Sequence, residues 1–259
     1  MKKDQLSTAI WGHHQIEDYF FSSISQMSQH FSERIRVYVT GVETDSLNFL
    51  LVINVSEQTA GDLQRGIRLL EEKTYVPFTI VAVEPDSQIL AVIQQAGFVL
   101  DADSITTAMQ LDLMDWQMNN VSVMEYDIRC VDHCLDDWAI PIESAFVTDD
   151  AISGQYQKCH QAALDAGKNL QHYTFYIDEM PVCSLTLSRL NNFVRLDDIS
   201  TVVEKQRRGY AFALINYVLN KAKQDGATVC YLDASRYGNG LYRRIGFKPL
   251  FEYQGFSRK

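Results

Sequence analysis

The sequence predicts an α/β protein built from two related halves. Three observations carry this. Short runs rich in β-branched and aromatic residues alternate with helix-spaced apolar stripes along the chain. The same strand–helix–strand order occurs twice. Two glycine-anchored segments recur at nearly the same spacing, Gly61 to Gly97 over 36 positions and Gly209 to Gly246 over 37.

Ile16, Phe20, Ile24, Met27 and Phe31 lie at helical spacing and predict a helix over residues 12–31. His13 and His14, at its start, read as polar surface residues. "RVYVTGV" (36–42) and "NFLLVINV" (48–55) read as paired strands joined by a polar turn. A helix over 57–73, a strand over 77–83 and a helix over 87–97 follow. A strand pair ending at 106–113 closes this half.

The second half opens on a strand over 121–127 and two helices, over about 132–147 and 152–166. "HYTFYI" and "VCSLTLSRL" form a hairpin that turns at Asp178-Glu179-Met180-Pro181. A strand over 193–203 leads into an apolar helix that closes on Gly226. A strand over 228–235, a helix over 238–246 and a strand over 247–253 end the chain.

Aligned on each other, the halves match at Gln206 and Gln58, and at Gly246-Phe247 and Gly97-Phe98. They differ where charge matters. Arg207 and Arg208 stand against Thr59 and Ala60, Tyr210-Ala211 against Asp62-Leu63, and Tyr242 against Ile93. A phosphate site in the second half would therefore be lost from the first, where Asp62 repels the anion. No Pro/Gly/Ser-rich linker separates the halves. The joint falls in residues 114–120, too short to let them drift apart, and the expected domains are residues 1–117 and 118–259.

The bulk numbers narrow the function. The 259-residue chain is 46% hydrophobic and 22% charged, with net charge -10, and has a pI near 5.0. An acidic balance argues against a nucleic-acid partner, whose footprint is basic. No apolar run approaches a membrane span. "MKKDQLSTAIWGHHQIEDYF" lacks the apolar core of a signal peptide, so the expected compartment is the cytoplasm. Five scattered cysteines suit a reducing compartment. "CVDHC" (130–134) with Cys159-His160 offers metal-ligand types, but C-x-x-x-C is not the usual zinc knuckle. Free thiols and no metal are expected.

"VVEKQRRGYAFALINYVLNKA" (202–222) gathers cations where a strand hands over to a helix. Helix starts carry unpaired N–H groups and a positive dipole end, which suit an anion. Gly209, without a side chain, lets a ligand approach the backbone, and small Ala211 does likewise. The N–H groups over 207–211 can form an anion nest, with arginine side chains adding charge-assisted contacts. Neither a Walker loop nor G-x-G-x-x-G is present.

Q-x-x-G-x-A over Gln206–Ala211, a long helix, a strand, and then "YLDASRYGNGLYRRIGF" resemble the GNAT superfamily of N-acetyltransferases. The resemblance covers about residues 119–256. It implies that Gln206, Arg207, Arg208, Gly209, Tyr210 and Ala211 cradle the pyrophosphate of acetyl-CoA. It implies that the strand before them, with Ile199, Thr201, Val202 and Val203, splays from its neighbour and pairs with pantetheine. Tyr242 matches the family tyrosine that protonates the departing thiolate. Ser235 stands where many members have a pantetheine-bonding asparagine, and Gly238 replaces a frequent alanine. "PFTIVAVEPDSQILAVIQQAGFVLDADSITTAMQLDL" is similar to the degenerate amino-terminal half of two-part bacterial GNAT proteins, which implies a wall of the acceptor site. The implied fold is two GNAT-like halves, each a mixed, largely antiparallel sheet flanked by helices.

Acetyl transfer needs a neutral amine, a donor for the oxyanion, expected at a backbone N–H near Val202, and an acid for the thiolate. Asp197, Asp198, Glu204 or water stand open as the base. Asp197 and Asp198 point to opposite faces of one strand, so at most one lines the cleft. The resulting expectation is an acetyl-CoA-dependent N-acetyltransferase acting by direct transfer on a small-molecule or peptide primary amine. No nucleic acid or membrane takes part, and a homodimer is compatible with the sequence. The alternatives are transfer of a longer acyl group and a non-catalytic acyl-CoA-binding sensor or scaffold.

Overall fold

The computed structural model describes residues 3–53, 59–75, 77–118, 126–146 and 150–258. In the first half, α1 (Lys3–Ile24) precedes β1 (Met27–His30), β2 (Ile35–Val39) and β3 (Asn48–Val52). These are followed by α2 (Thr59–Lys73), β4 (Thr79–Val83), α3 (Ser87–Gln95) and β5 (Phe98–Asp112). The second half contains β6 (Asp127–Cys130), α4 (Leu135–Phe146), α5 (Asp150–Asp165), β7 (Leu170–Ile177), β8 (Met180–Leu190) and β9 (Phe193–Thr201). It ends with α6 (Tyr210–Gln224), β10 (Val229–Ser235), α7 (Asn239–Ile245) and β11 (Lys248–Arg258).

All eleven described strands join in one sheet, ordered β1-β2-β3-β4-β11-β5-β10-β9-β8-β7-β6. Only β3–β4 and β9–β10 are parallel. The order has a pseudo-twofold character. The last strand of each half is inserted into the other, with β5 between β10 and β11 and β11 between β4 and β5. Each half thus covers an edge that its partner would otherwise expose. The exchange also mixes the cores. Met109, Leu111, Leu113 and Trp116 pack in one buried cluster with Leu214, Val218, Leu232 and Tyr242 of the second half.

Two elements differ from expectation. The first helix ends at Ile24, and Met27–His30 is instead an edge strand paired with β2. Ser22, Ser23 and Ser25 weaken the helix there, while Met27 and Phe31 pack onto the first-half core. The strand pair expected before residue 113 is one strand, β5, of 15 residues. Its polar "DADS" is not a turn. It is taken up as a bulge, since Tyr253 pairs with Thr106 while Gly255 already pairs with Asp101. The strand expected over 121–127 lies outside the described residues except for its last two positions.

His13 and His14 are not surface residues. Both are buried where α1 crosses the sheet. His13 Nε2 lies 2.9 Å from Asp233 Oδ1, His14 Nδ1 lies 3.0 Å from Glu17 Oε2, and the Tyr253 hydroxyl donates to Glu17 at 2.6 Å. Arg195 donates to Asp233 and Asp197. Helical periodicity places a polar residue on a face but does not say whether that face meets a charged partner.

The expected hairpin turn is present. Asp178 and Glu179 both have positive φ (50° and 61°), the conformation of a two-residue turn whose twist matches its strands.

Candidate active site

The site begins where two parallel strands part. β9 pairs with β10 only from Phe193↔Val229 to Arg195↔Tyr231. β9 then runs on through Thr201 without that neighbour, while still paired to β8. The gap opens into a cleft of about 740 Å³. A 3-10 turn over Val203–Lys205 follows, and then α6 starts at Tyr210 behind Gly209.

Gly209 has φ +86°, a left-handed conformation, and a Cβ there would meet no atom within 4 Å. Arg207 is also left-handed, at φ 60°. Alternating left-handed residues turn successive N–H groups toward one side, as an anion nest requires. No side chain caps α6, so its first N–H groups keep the donor capacity of a helix start. Tyr210, Ala211 and Phe212 line the cleft, together with the cations Lys205, Arg207 and Arg244. An acidic chain therefore concentrates positive charge at this one mouth.

Tyr242 lines the same cleft from α7 and is 8% exposed. Its hydroxyl has no hydrogen-bond partner among the described residues. Burial, with Cys183 and Asp197 nearby, raises its pKa above the usual phenol value, so it holds its proton at neutral pH. Gly238 leaves room for that ring, since a Cβ there would lie 2.7 Å from Tyr242 Cε2.

Of the residues expected in the site, the cleft brings together Ile199, Thr201, Gln206, Arg207, Gly209, Tyr210, Ala211, Ser235 and Tyr242. Val202, Val203 and Arg208 do not line it. The Val202 N–H, expected to serve the oxyanion, is committed to the Val182 carbonyl at 3.0 Å. Successive N–H groups on a strand point to opposite edges, so Thr201 N–H is the one directed at the gap. Val203 N–H goes to Ser144 Oγ, and Arg208 reaches back to the Glu204 carbonyl. Gln206 donates to the Thr201 carbonyl at 3.2 Å and so ties the loop to the strand end. Ser235 Oγ accepts from Gly238 N–H at the turn into α7.

The carboxylates are sorted by a bulge. Ser184 pairs with Ser200, but Thr186 pairs with Asp197, so β9 carries one extra residue, and Asp198 there has φ 56°. Asp197 is bonded to Arg195 through both oxygens, and burial pushes its carboxyl up to about 7 despite Arg195. Asp198 turns to the other side. Burial raises its pKa, and it accepts from Tyr156 and Thr186, both at 2.7 Å. It lines a second, mostly apolar cavity of about 260 Å³ with Leu47, Ile142, Phe146, Ile152 and Tyr156. Phe146 borders both cavities, and Ile199, next to Asp198, lines the first. Glu204 is exposed and lines neither.

Sequence reasoning missed Arg244, Lys205 and the second cavity. Arg244 was visible as a cation in "YRRIGF", but only the fold turns it to the cleft, stacked 4.6 Å from the Phe212 ring. The first-half loop Thr44–Leu47 carries no motif and reaches the second cavity through tertiary packing alone.

The first half differs at its corresponding place. Asp62, in the first turn of α2, is buried and paired with Arg65, whose hydrogen bond holds the carboxyl below its usual range. β3 is still paired with β4 at Val52, its last strand residue, so the parallel pair does not splay there. Gln58 lies outside the described residues.

All five cysteines are free thiols; Cys183 and Cys230 are buried and Cys130 is exposed. Among the described residues, the donor atoms of His13, His14 and Glu17 lie within 4.8 Å of one another, in the network described above. No described helix is long and apolar enough to cross a membrane.

Comparison with known proteins agrees with this geometry. Residues 147–257 match the family model described as an acetyltransferase (GNAT) domain. No curated protein matches the chain. Among solved structures, a GCN5-related N-acetyltransferase from Kribbella flavida aligns with TM-score 0.67 at 12% identity, covering 95% of both chains. One from Sphaerobacter thermophilus aligns with TM-score 0.62 at 16% identity, over 86% of this chain and 76% of the other. A tandem GNAT protein from the clavulanic acid biosynthesis pathway aligns with TM-score 0.57 at 13% identity, over 86% and 77%. The splayed strands, the uncapped helix start and the domain match fall in the same residues: residues 147–257 form a GNAT acetyltransferase domain, and the first half is GNAT-like in structure.

Proposed function

We propose that the chain transfers the acetyl group of acetyl-CoA directly to a primary amine in the cleft between β9 and β10. The observation that carries this reading is the meeting, in one cleft, of an uncapped helix start flanked by three cations and a buried tyrosine whose hydroxyl has no partner among the described residues.

Acetyl-CoA supplies the activated acyl group. The residues fit it: the N–H groups at the start of α6, with Lys205, Arg207 and Arg244, match a pyrophosphate. The free edge of β9 offers backbone groups to an extended pantetheine arm. Thr201 N–H is the donor suited to the thioester oxygen. The Tyr242 hydroxyl gives its proton to the leaving thiolate, a poor leaving group without one. Asp198 takes the proton of the attacking amine, which enters through the smaller cavity. That cavity suits an amine on an apolar frame, with the first half contributing Thr44, Ser46 and Leu47 to its wall.

Release of free thiol from acetyl-CoA over a panel of amines, with calorimetry on the same sample, tests the proposal. The expected result is turnover with apolar amines and about one CoA bound per chain, since the first half neither splays nor leaves its helix start open to an anion. Tight CoA binding with no thiol release across the panel overturns it in favour of a sensor.

A further inference from the structure

The smaller cavity holds a single charge. Leu47, Ile142, Phe146 and Ile152 make its apolar wall, and among the described residues that line it only Asp198 can ionise at neutral pH. Tyr156 keeps its proton, because burial and the adjacent Asp198 raise its pKa well above the usual phenol value. His160 Nε2 lies 3.8 Å from Asp198 Oδ2, and burial, with His172 beside it, keeps that ring uncharged.

The chain's cations are committed elsewhere. Lys205, Arg207 and Arg244 line the larger cleft. Arg195 is bonded to Asp197 and Asp233. Lys158 and Lys168 line a third cavity, at the end of α1. The start of α5 has a positive dipole end, but α5 begins at Asp150, so an acidic residue already complements it. The Tyr156 and Thr186 hydroxyls give their protons to Asp198. Thr44, Ser46 and Ser153 offer neutral hydroxyls, which suit an uncharged polar group better than an isolated ion.

This distribution discriminates between amines. An amine that gives its proton to Asp198 must touch that carboxyl. In an α-amino acid the carboxylate is two bonds from the nitrogen, so it would be held beside Asp198 too. Two carboxylates in one site repel, or force a proton onto Asp198, which then cannot take one from the amine. A second ammonium at the far end of the ligand would instead meet the apolar wall and lose its hydration unpaired. We infer that the acceptor is a monoamine with no charge beyond its amine, and that this cavity rejects amines carrying a carboxylate or a second ammonium. The inference rests on the acetyl-transfer reading above and narrows it. Selection here works by what the wall withholds as much as by what it offers.

Part of that wall can be altered without disturbing its support. Ser46 is exposed and Leu47 half-buried, on the turn before β3. The buried Asn48 side chain holds this turn, accepting from the Thr40 and Gly41 N–H groups and donating to the Val42 and Thr44 carbonyls.

Thiol release from acetyl-CoA by the full chain tests the inference, with kcat/KM compared per neutral amine over matched acceptors. Phenethylamine, phenylalanine and phenylalaninamide share one frame, and only phenylalanine carries the carboxylate. n-Pentylamine and putrescine differ by a terminal methyl against an ammonium. Phenethylamine should exceed phenylalanine on the order of 10²-fold or more, phenylalaninamide should recover most of that loss, and n-pentylamine should exceed putrescine about tenfold or more. Ser46→Arg and Leu47→Arg each bring a cation to the wall and should narrow the gap between phenylalanine and phenethylamine about tenfold. Melting temperatures show which variants fold, and the exposed position of Ser46 keeps that variant folded even where Leu47→Arg is not. Phenylalanine matching phenethylamine, or putrescine matching n-pentylamine, overturns the inference. Phenylalaninamide as slow as phenylalanine also overturns it, since size and not charge would then explain the loss. An unchanged gap in the folded variants overturns it by placing the acceptor outside this cavity. Thiol release with none of the amines instead overturns the acetyl-transfer reading, and the inference with it.

Discussion

The Tyr242 ring is buried at the cleft and its hydroxyl is unpartnered among the described residues, so removing the hydroxyl should disturb packing little. If it protonates the thiolate, Tyr242→Phe should lower turnover on the order of 10²-fold or more, with CoA affinity nearly unchanged. The loss should shrink with an acyl donor whose thiol leaves more easily. Turnover and melting temperature read on one preparation check this, and near-wild-type turnover with both donors would mean that another group delivers the proton. Gly209 calls for the opposite pattern. Its φ of +86° costs a non-glycine residue about 1 kcal/mol, which aspartate tolerates better than most, and its Cβ direction is open. Gly209→Asp should therefore fold and yet lose CoA binding, because the new carboxylate would stand beside the proposed pyrophosphate site. Unchanged affinity in calorimetry would remove this loop from the site.

Among the elements, α1 is the most constrained by what it crosses. A Cβ on Gly12 would fall 2.4 Å from the Tyr231 hydroxyl and 3.3 Å from Phe193 Cζ. Tyr231 cannot easily give way, being buried and packed against His13 and Phe193. Gly12→Ala gains about 1 kcal/mol in helix propensity. It should lose about 1–3 kcal/mol from overpacking. A net destabilisation on the order of 1 kcal/mol is expected in urea unfolding, and a stabilised variant would show that α1 does not sit this close to β10. The strand β9 shows the same dependence on neighbours. Its bulge changes which way Asp198 faces, a choice made by pairing with β8 and not by the strand's own pattern.

The whole molecule is held together by two kinds of crossing. One is the exchange of β5 and β11; the other is the buried network between α1 and the second-half sheet. Burial opposes ionisation of Asp233, but Arg195 and His13 overcome it and keep its pKa well below the carboxylate range. Glu17 is lowered too, by His14 and His13 against the same burial. Carboxyls depressed in the folded state release protons more readily there than in the unfolded chain. Their stabilisation is therefore complete above the unfolded pKa, about 4, and fades as pH falls below it toward the depressed values. The melting temperature should drop steeply below about pH 4, and Asp233→Asn should start lower at pH 7 and flatten that drop. Parallel acid limbs in the two proteins would mean that Asp233 is not part of the linkage.

What the sequence by itself determined is local. Gly209 before an apolar helix, the turn at Asp178-Glu179, the order of helices and strands, and the spacing from Gln206 to Tyr242 each depend on neighbours along the chain. Propensity and periodicity act over that range. Only the tertiary structure decided the rest. It showed one long β5 where the sequence predicts a strand pair, because β11 pairs with residues on both sides of "DADS". It buried His13 and His14, because Asp233 and Tyr253 meet them from 220 and 239 residues away. It set Asp198 against the smaller cavity and Asp197 against Arg195, because one inserted residue re-aims side chains that otherwise alternate. It gave the Val202 N–H to β8 and left the Thr201 N–H to the gap. In each case the deciding partner is distant in sequence, and its position follows from which faces pack together.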